Sequence, residues 1–150
     1  MVKSGVNTML QGRFVYNMDD KNRLVIPPKF RLALENATMT IGLDQCIAIY
    51  PEHEWNLFCD RLLSMDSSQE EARQNIRMFI GSAEDVEFDK QNRIKIPQAL
   101  QLDVGLEKEC MIVGVMNHIE IWPLKAWQDY KQASLQRASS NAAKLGAGGF

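Results

Sequence analysis

The sequence predicts an α+β fold, mainly β with peripheral helices, built from one unit used twice. Three observations lead there. A nine-residue block recurs at an offset of 70: residues 19–27 read DDKNRLVIP and residues 89–97 read DKQNRIKIP. Asp19/Asp89, Asn22/Asn92, Arg23/Arg93, Ile26/Ile96 and Pro27/Pro97 coincide in it. A second block, GLDQCIAIYPEHEW from Gly42, recurs at an offset of 72 as GVMNHIEIWPLKAW from Gly114. The third observation is a change of apolar period, from alternation around each block to helical spacing after it.

Within each unit the elements follow in order. Phe14, Tyr16 and Met18 alternate, a polar turn follows, and Leu24 and Ile26 alternate again, which predicts a β-hairpin. In the second unit Val86 and Phe88 lead into the turn, and Ile94 and Ile96 lead out. Asn22 and Asn92 stand where a tight turn needs a positive φ, which asparagine tolerates. Pro27 and Pro97 end these strands and can open a short helix. Ile41, Leu43, Ile47 and Ile49 predict the next strand pair, mirrored by residues 112–115, Ile119 and Ile121. The aromatic-Pro steps then start helices, the first with an apolar stripe at Trp55, Phe58, Cys59 and Leu62.

An extra helix lies between the units. Ser68 is its expected N-cap, Glu71 completes a capping box, and Ala72, Ile76, Phe79 and Ile80 form its stripe. The last helix starts near Pro123 with Leu124, Trp127 and Tyr130, and the stripe thins beyond about Gln132. The expected organisation is a first repeat with its C-terminal helix over residues 9–65, a connecting helix over 66–81, a second repeat over 82–132, and a disordered tail over 133–150.

At 150 residues, 45% of them hydrophobic, the chain is long enough to bury a core. No run of 18 apolar residues is present, and the opening MVKSGVNT lacks the apolar stretch of a signal peptide, so a cytoplasmic protein without a membrane partner is expected. Cys46, Cys59 and Cys110 form no Cys-x-x-Cys pair and, with His53 and His118, no recognised metal spacing. No cofactor, metal, small-molecule substrate or catalytic residue is expected, because no phosphate loop or nucleophile motif occurs.

The net charge of -2 conceals a strong pattern. Residues 1–34 carry six bases and two acids, residues 35–89 twelve acids and three bases, and residues 90–150 eight bases and five acids. Two basic zones that meet in space would make a basic surface on an acidic protein.

At the two blocks the sequence resembles the MraZ family, bacterial transcriptional regulators of the division and cell-wall gene cluster. The resemblance runs from about Met9 to Tyr130 and rests on an Asp-x-Lys-Gly-Arg-x-x-x-Pro type motif in each repeat, followed by an aromatic-Pro-x-x-x-Trp helix start. Here the motifs are Asp19-Asp20-Lys21-Asn22-Arg23 to Pro27 and Asp89-Lys90-Gln91-Asn92-Arg93 to Pro97. Asparagine stands where the family usually has glycine, and Gln91 where it often has lysine, which shifts a phosphate contact to Lys90 or Lys95. The family start aligns with Met9, leaving MVKSGVNT as an extension. The resemblance implies an AbrB-like swapped-hairpin barrel, the two repeats forming a pseudo-two-fold unit. It further implies ring homo-oligomers that bind double-stranded DNA at short direct repeats in the promoter of their own operon, and hence nucleoid association. A ring-forming protein–protein scaffold without specific DNA recognition is the alternative.

Arg23 and Arg93 are the main candidates for DNA contact, since guanidinium suits both phosphate and the O6/N7 edge of guanine. The alternative reading of each is a surface arginine held by the aspartate four residues earlier, and the two readings are compatible. Asp19 and Asp89, with Pro27 and Pro97, are therefore expected to be structural. Asn22 and Asn92 join the candidate contact set, and Lys21, Lys29, Arg31, Lys90 and Lys95 would touch phosphate. Trp55, Trp122 and Trp127 read as packing. The acidic middle, with Glu70, Glu71, Glu84, Asp85 and Glu87, is expected to face away from DNA because phosphate repels it.

Overall fold

The computed structural model describes residues 9–146; residues 1–8 and 147–150 lie outside the described residues. Six strands, β1 (Leu10–Asn17), β3 (Thr38–Ile41), β4 (Ile47–Tyr50), β5 (Glu84–Asp85), β7 (Glu109–Met116) and β8 (Ile119–Pro123), make one antiparallel sheet in the order β1-β7-β8-β4-β3-β5. Strands β2 (Arg23–Val25) and β6 (Arg93–Lys95) make a separate two-stranded ribbon. The duplication is visible in the sheet order. Replacing each strand by its repeat equivalent (β1 by β5, β3 by β7, β4 by β8) returns the same order read from the other end. The central pair obeys the same rule, with Ile47 opposite Ile121 and Ile49 opposite Ile119.

The sheet is open, so the expected closed barrel is not formed. Its outermost strands are β1 and β5, and β5 pairs only Asp85 with Thr38 and Glu84 with Met39, too short a ladder to reach round to β1. The β2–β6 ribbon lies over the sheet instead. Leu24, Ile26, Ile94 and Ile96 share one buried cluster with Leu10, Ile47, Ile49, Ile112, Ile119 and Ile121. Burial of this apolar set is the main stabilising term.

The expected local hairpins are also replaced. Beyond the Asp19 turn β2 pairs with β6, while β1 before it pairs with β7 along all eight of its residues. Strand β2 offers only three residues before Pro27, which has no N–H to donate, so the longer ladder with β7 wins. A single bridge, Phe88 to Ile94, remains of the hairpin in the second repeat. Gly114 permits the close approach of β1, because a Cβ there would lie 2.5 Å from the Gln11 nitrogen.

Prolines open four of the helices. Pro27, Pro51, Pro97 and Pro123 immediately precede α1 (Pro28–Arg31), α2 (Glu52–Leu63), α4 (Gln98–Val104) and α5 (Leu124–Gln136). Between the repeats, α3 (Glu70–Asn75) runs into a π-helical turn, Ile76–Ile80, whose Phe79 meets Phe58 of α2 edge-on at 5.3 Å. The capping box does not form: the N-cap is Gln69, one residue beyond Ser68. The Ser68 N–H instead donates to Asp66 Oδ1 in a local turn, which competes with the cap. Of the stretch expected to be disordered, 133–150, the end of α5 and α6 (Ala138–Ala143) are helical, and residues 147–150 lie outside the described residues. Leu124, Ala126 and Trp127 pack the start of α5 on Met111, Val113 and Trp122, whereas α6 has no buried residue. Among the described residues no helix is long and apolar enough to cross a membrane.

Candidate nucleic-acid interface

Each Asp-x-x-Asn-Arg segment is a closed turn organised by its aspartate. Asp19 Oδ1 accepts from the backbone N–H of Lys21 and of Arg23, both at 2.9 Å, and the Asp19 N–H donates to Arg23 O at 2.9 Å. Asp89 repeats the pattern with Gln91 and Arg93, again at 2.9 Å. The chain reverses through left-handed Asn22 (φ 63) and Asn92 (φ 64). The second oxygen of each carboxylate holds the arginine: Arg23 Nε donates to Asp19 Oδ2 at 2.8 Å and Arg93 Nε to Asp89 Oδ2 at 2.7 Å. Both carboxyls are held below the usual aspartate range, chiefly by the arginine backbone N–H; desolvation opposes this, and the arginine side chain and the N–H of Lys21 or Gln91 outweigh it.

The ribbon then brings the two turns together. Arg23 lies opposite Lys95, Leu24 opposite Ile94 and Val25 opposite Arg93. Ile26 N–H donates to Asn92 O at 3.0 Å and Ile96 N–H to Asn22 O at 2.9 Å, a reciprocal pair. Side chains alternate across a strand, so buried Leu24 and Ile94 place Arg23, Val25, Arg93 and Lys95 on the opposite face. Arg93 Nη1 stands 3.7 Å from Asp19 Oδ2 of the other repeat. With each Nε bound to carboxylate, the guanidinium planes are fixed while their side chains keep 31% and 23% exposure for Arg23 and Arg93.

The remaining candidates divide. Lys21 and Lys90 are exposed on the turns beside the arginines. Lys29 is turned to aromatic surface, its Nζ 5.6 Å from the ring centres of Phe14 and Phe30. Arg31 pairs with Glu35 at 3.0 Å and stacks on Phe88 at 4.0 Å. Pro27 and Pro97 carry the ribbon into α1 and α4. The Asn92 amide donates to Ile26 O at 2.6 Å. Lys95 lines a cleft of about 490 Å³ with Met39, Glu84, Asp85, Glu87 and Pro97. The acidic stretch around residues 84–87 is thus beside the ribbon and not turned away from it, because the Phe88–Ile94 bridge carries it along β6.

The tryptophans pack. Trp122 is buried against Trp127 and Tyr130, and Trp55 lies against Tyr50 and Phe58. Sequence reading missed a polar knot at the start of β8. There Trp122 Nε1 donates to Glu120 Oε1 at 3.0 Å, and His118 Nε2 lies 3.3 Å from Glu120 Oε2. Burial works against the Glu120 charge, but these two hydrogen bonds hold its carboxyl below the usual range. The signal was the i, i+2, i+4 spacing of His118, just before β8, with Glu120 and Trp122 on it. Among the described residues no group of three or more His, Cys, Asp or Glu side chains is placed to hold a metal ion.

Residues 9–78 and again 78–146 match the model of the family described as "MraZ protein, putative antitoxin-like". A protein of Halothermothrix orenii named "Transcriptional regulator MraZ" is 39% identical over 138 residues, covering 91% of this chain and 96% of the relative. One of the same name from Limosilactobacillus fermentum is 39% identical over 141 residues, covering 93% and 96%. A third, from Pediococcus pentosaceus, is 42% identical over 122 residues, covering 81% and 85%.

Proposed function

The chain belongs to the MraZ family, and from that premise we propose that it is a sequence-specific DNA-binding transcriptional regulator whose contact face is the β2–β6 ribbon with its two Asp-x-x-Asn-Arg turns. The observation that carries this reading is the juxtaposition of the two turns, with Arg93 Nη1 3.7 Å from Asp19 Oδ2. Two fixed guanidinium groups on one outward face can address a duplex together. A two-stranded ribbon is narrow enough to enter a major groove about 12 Å wide. Arginine forks suit the guanine edge, while Lys21 and Lys90 supply phosphate contacts that carry no sequence information. Lys29 and Lys95, both exposed, add to the phosphate contacts, whereas Arg31 is paired with Glu35. The aspartates face their own arginines and so position them.

One chain with a net charge of -2 offers only a small basic face. Affinity therefore comes from several copies in a ring homo-oligomer, engaging successive short direct repeats in the promoter of its own operon, at the nucleoid. In this reading the ribbon is the AbrB-like swapped hairpin pair, with repeats over 9–65 and 82–132. The acid-lined cleft at Lys95 favours the competing reading, a ring-forming protein–protein scaffold.

Affinity for the duplex upstream of the gene, measured across a salt series against competitor DNA, separates the two. DNA recognition gives a steep fall of affinity with salt and a preference for the upstream repeats. A correctly assembled oligomer that binds no duplex at low salt would refute it.

A further inference from the structure

The two turns share a backbone and differ in what their asparagines touch. Asn92 Nδ2 donates at 2.6 Å to Ile26 O, a carbonyl of the other repeat. The carbonyl equivalent for Asn22 is that of Ile96, and it accepts from Gln101 Nε2 of α4 at 2.8 Å instead. The residue at the Gln101 position of the first repeat is Arg31. It turns to Glu35 and to the Phe88 ring, and so leaves Ile26 O open for Asn92. One exchange, glutamine for arginine, breaks the symmetry of the turns. Among the described residues the Asn22 side chain has no hydrogen-bond partner, and it stands half-buried next to Arg23.

A turn that required only a positive φ would be served at less strain by glycine. Asparagine adds to such a turn a side chain with both a donor and an acceptor. That of Asn92 is used between the repeats, and that of Asn22 is free at the ribbon end where Arg23 lies. A primary amide offers a donor and an acceptor side by side, the complement of the N6/N7 edge of adenine. We propose that Asn22 is a specificity-determining residue that reads an adenine edge beside the Arg23 contact, whereas Asn92 is a latch between the repeats. This rests on the DNA-binding reading above. The consequence is that the two turns of one chain read DNA unequally, the first through Asn22 and Arg23, the second through Arg93 alone.

Asn22→Gly and Asn92→Gly both preserve a left-handed turn, and comparing them cancels the flexibility that glycine adds. Thermal unfolding of each full-length variant is measured first. Affinity is then measured for the duplex upstream of the gene, with each A·T pair replaced in turn by G·C. Asn92→Gly should melt about 2–4 °C below Asn22→Gly, having lost a hydrogen bond inside the fold, and keep the wild-type base preference. Asn22→Gly should bind roughly 5- to 100-fold more weakly and lose the penalty for replacing one A·T pair. If Asn22→Gly keeps the wild-type affinity and base preference while the wild type binds DNA, the reading role of Asn22 is overturned and the DNA reading stands. Equal melting losses in the two variants would overturn the latch. A wild type that binds no duplex overturns the reader together with the function it rests on.

Discussion

Replacing Leu24 by alanine tests whether the ribbon, and not charge alone, presents the arginines. Leu24 is fully buried at the centre of β2, opposite Ile94, in a ribbon whose strands are three residues each. The change removes about three methylene-sized groups, worth about 2.4 kcal/mol by transfer alone at ~0.8 kcal/mol each. The cavity left between the ribbon and the sheet raises the expected cost to about 3–5 kcal/mol. Partial collapse into that cavity draws β2 away from β6, and Arg23 and Arg93 lose their common register. Ile49→Ala is the matched control, equally buried in the same cluster but on β4 at the middle of the large sheet. Urea unfolding should show comparable stability losses for the two. DNA affinity, measured at a temperature where both remain folded, should fall at least about tenfold further in Leu24→Ala, one tenfold step corresponding to about 1.4 kcal/mol. Equal affinities in the two folded variants would show that ribbon register does not present the arginines.

Gly114→Ala should force β1 off β7, since its Cβ would meet the Gln11 nitrogen at 2.5 Å and the Leu10 carbonyl carbon at 2.6 Å. The expected cost is about 1–3 kcal/mol with faster amide exchange along β1, and unchanged exchange there would contradict the close approach. The Asp19 and Asp89 carboxyls are held low, so their contribution is complete above the unfolded value of about 3.9 and is lost as pH falls through their folded values. Asp19→Asn with Asp89→Asn should therefore be less stable than wild type at neutral pH and converge with it in strong acid; parallel pH profiles would reject this account. Burial pushes the Cys46 and Cys110 thiols up, Cys110 to about 11, while Cys59 is only half-buried. A thiol reagent should label native protein at Cys59 alone and all three cysteines after unfolding, and native labelling of Cys46 would show that its environment opens.

Elements carried by short-range chemistry were legible from the residues. The repeat block located both turns, the left-handed asparagines and the proline-opened helices, and alternation located β3–β4 and β7–β8. What alternation cannot encode is which strand lies alongside which. The local hairpin had the shorter loop to close, yet eight residues of β7 outweigh three of β2 for pairing with β1. Zone-by-zone charge was equally blind to neighbours: the local Phe88–Ile94 bridge brings Glu84 and Asp85 beside Lys95, across the border between an acidic and a basic zone. The unequal asparagines were hidden for a different reason. Their difference is set by Gln101 and Arg31, outside the repeated block and dissimilar in the two copies. Ser68 and Glu71 had the spacing of a cap, but Asp66 lay within reach of the same N–H and took it.

The cross-repeat ladder also sets an order for the birth of the molecule. Leu10 pairs with Met116 and Asn17 with Glu109, so β1 emerges from the ribosome long before its partner is made. At about 5–20 residues per second, translating the intervening roughly 90–100 residues takes about 5–20 s, during which β1 has no strand to join. The first repeat cannot finish as an independent folding unit, because its first strand pairs with β7, a strand of the second repeat. A nascent chain arrested before Glu109 leaves β1 as an unpaired edge, open to other nascent chains on the same messenger. Completion of the second repeat therefore completes the first.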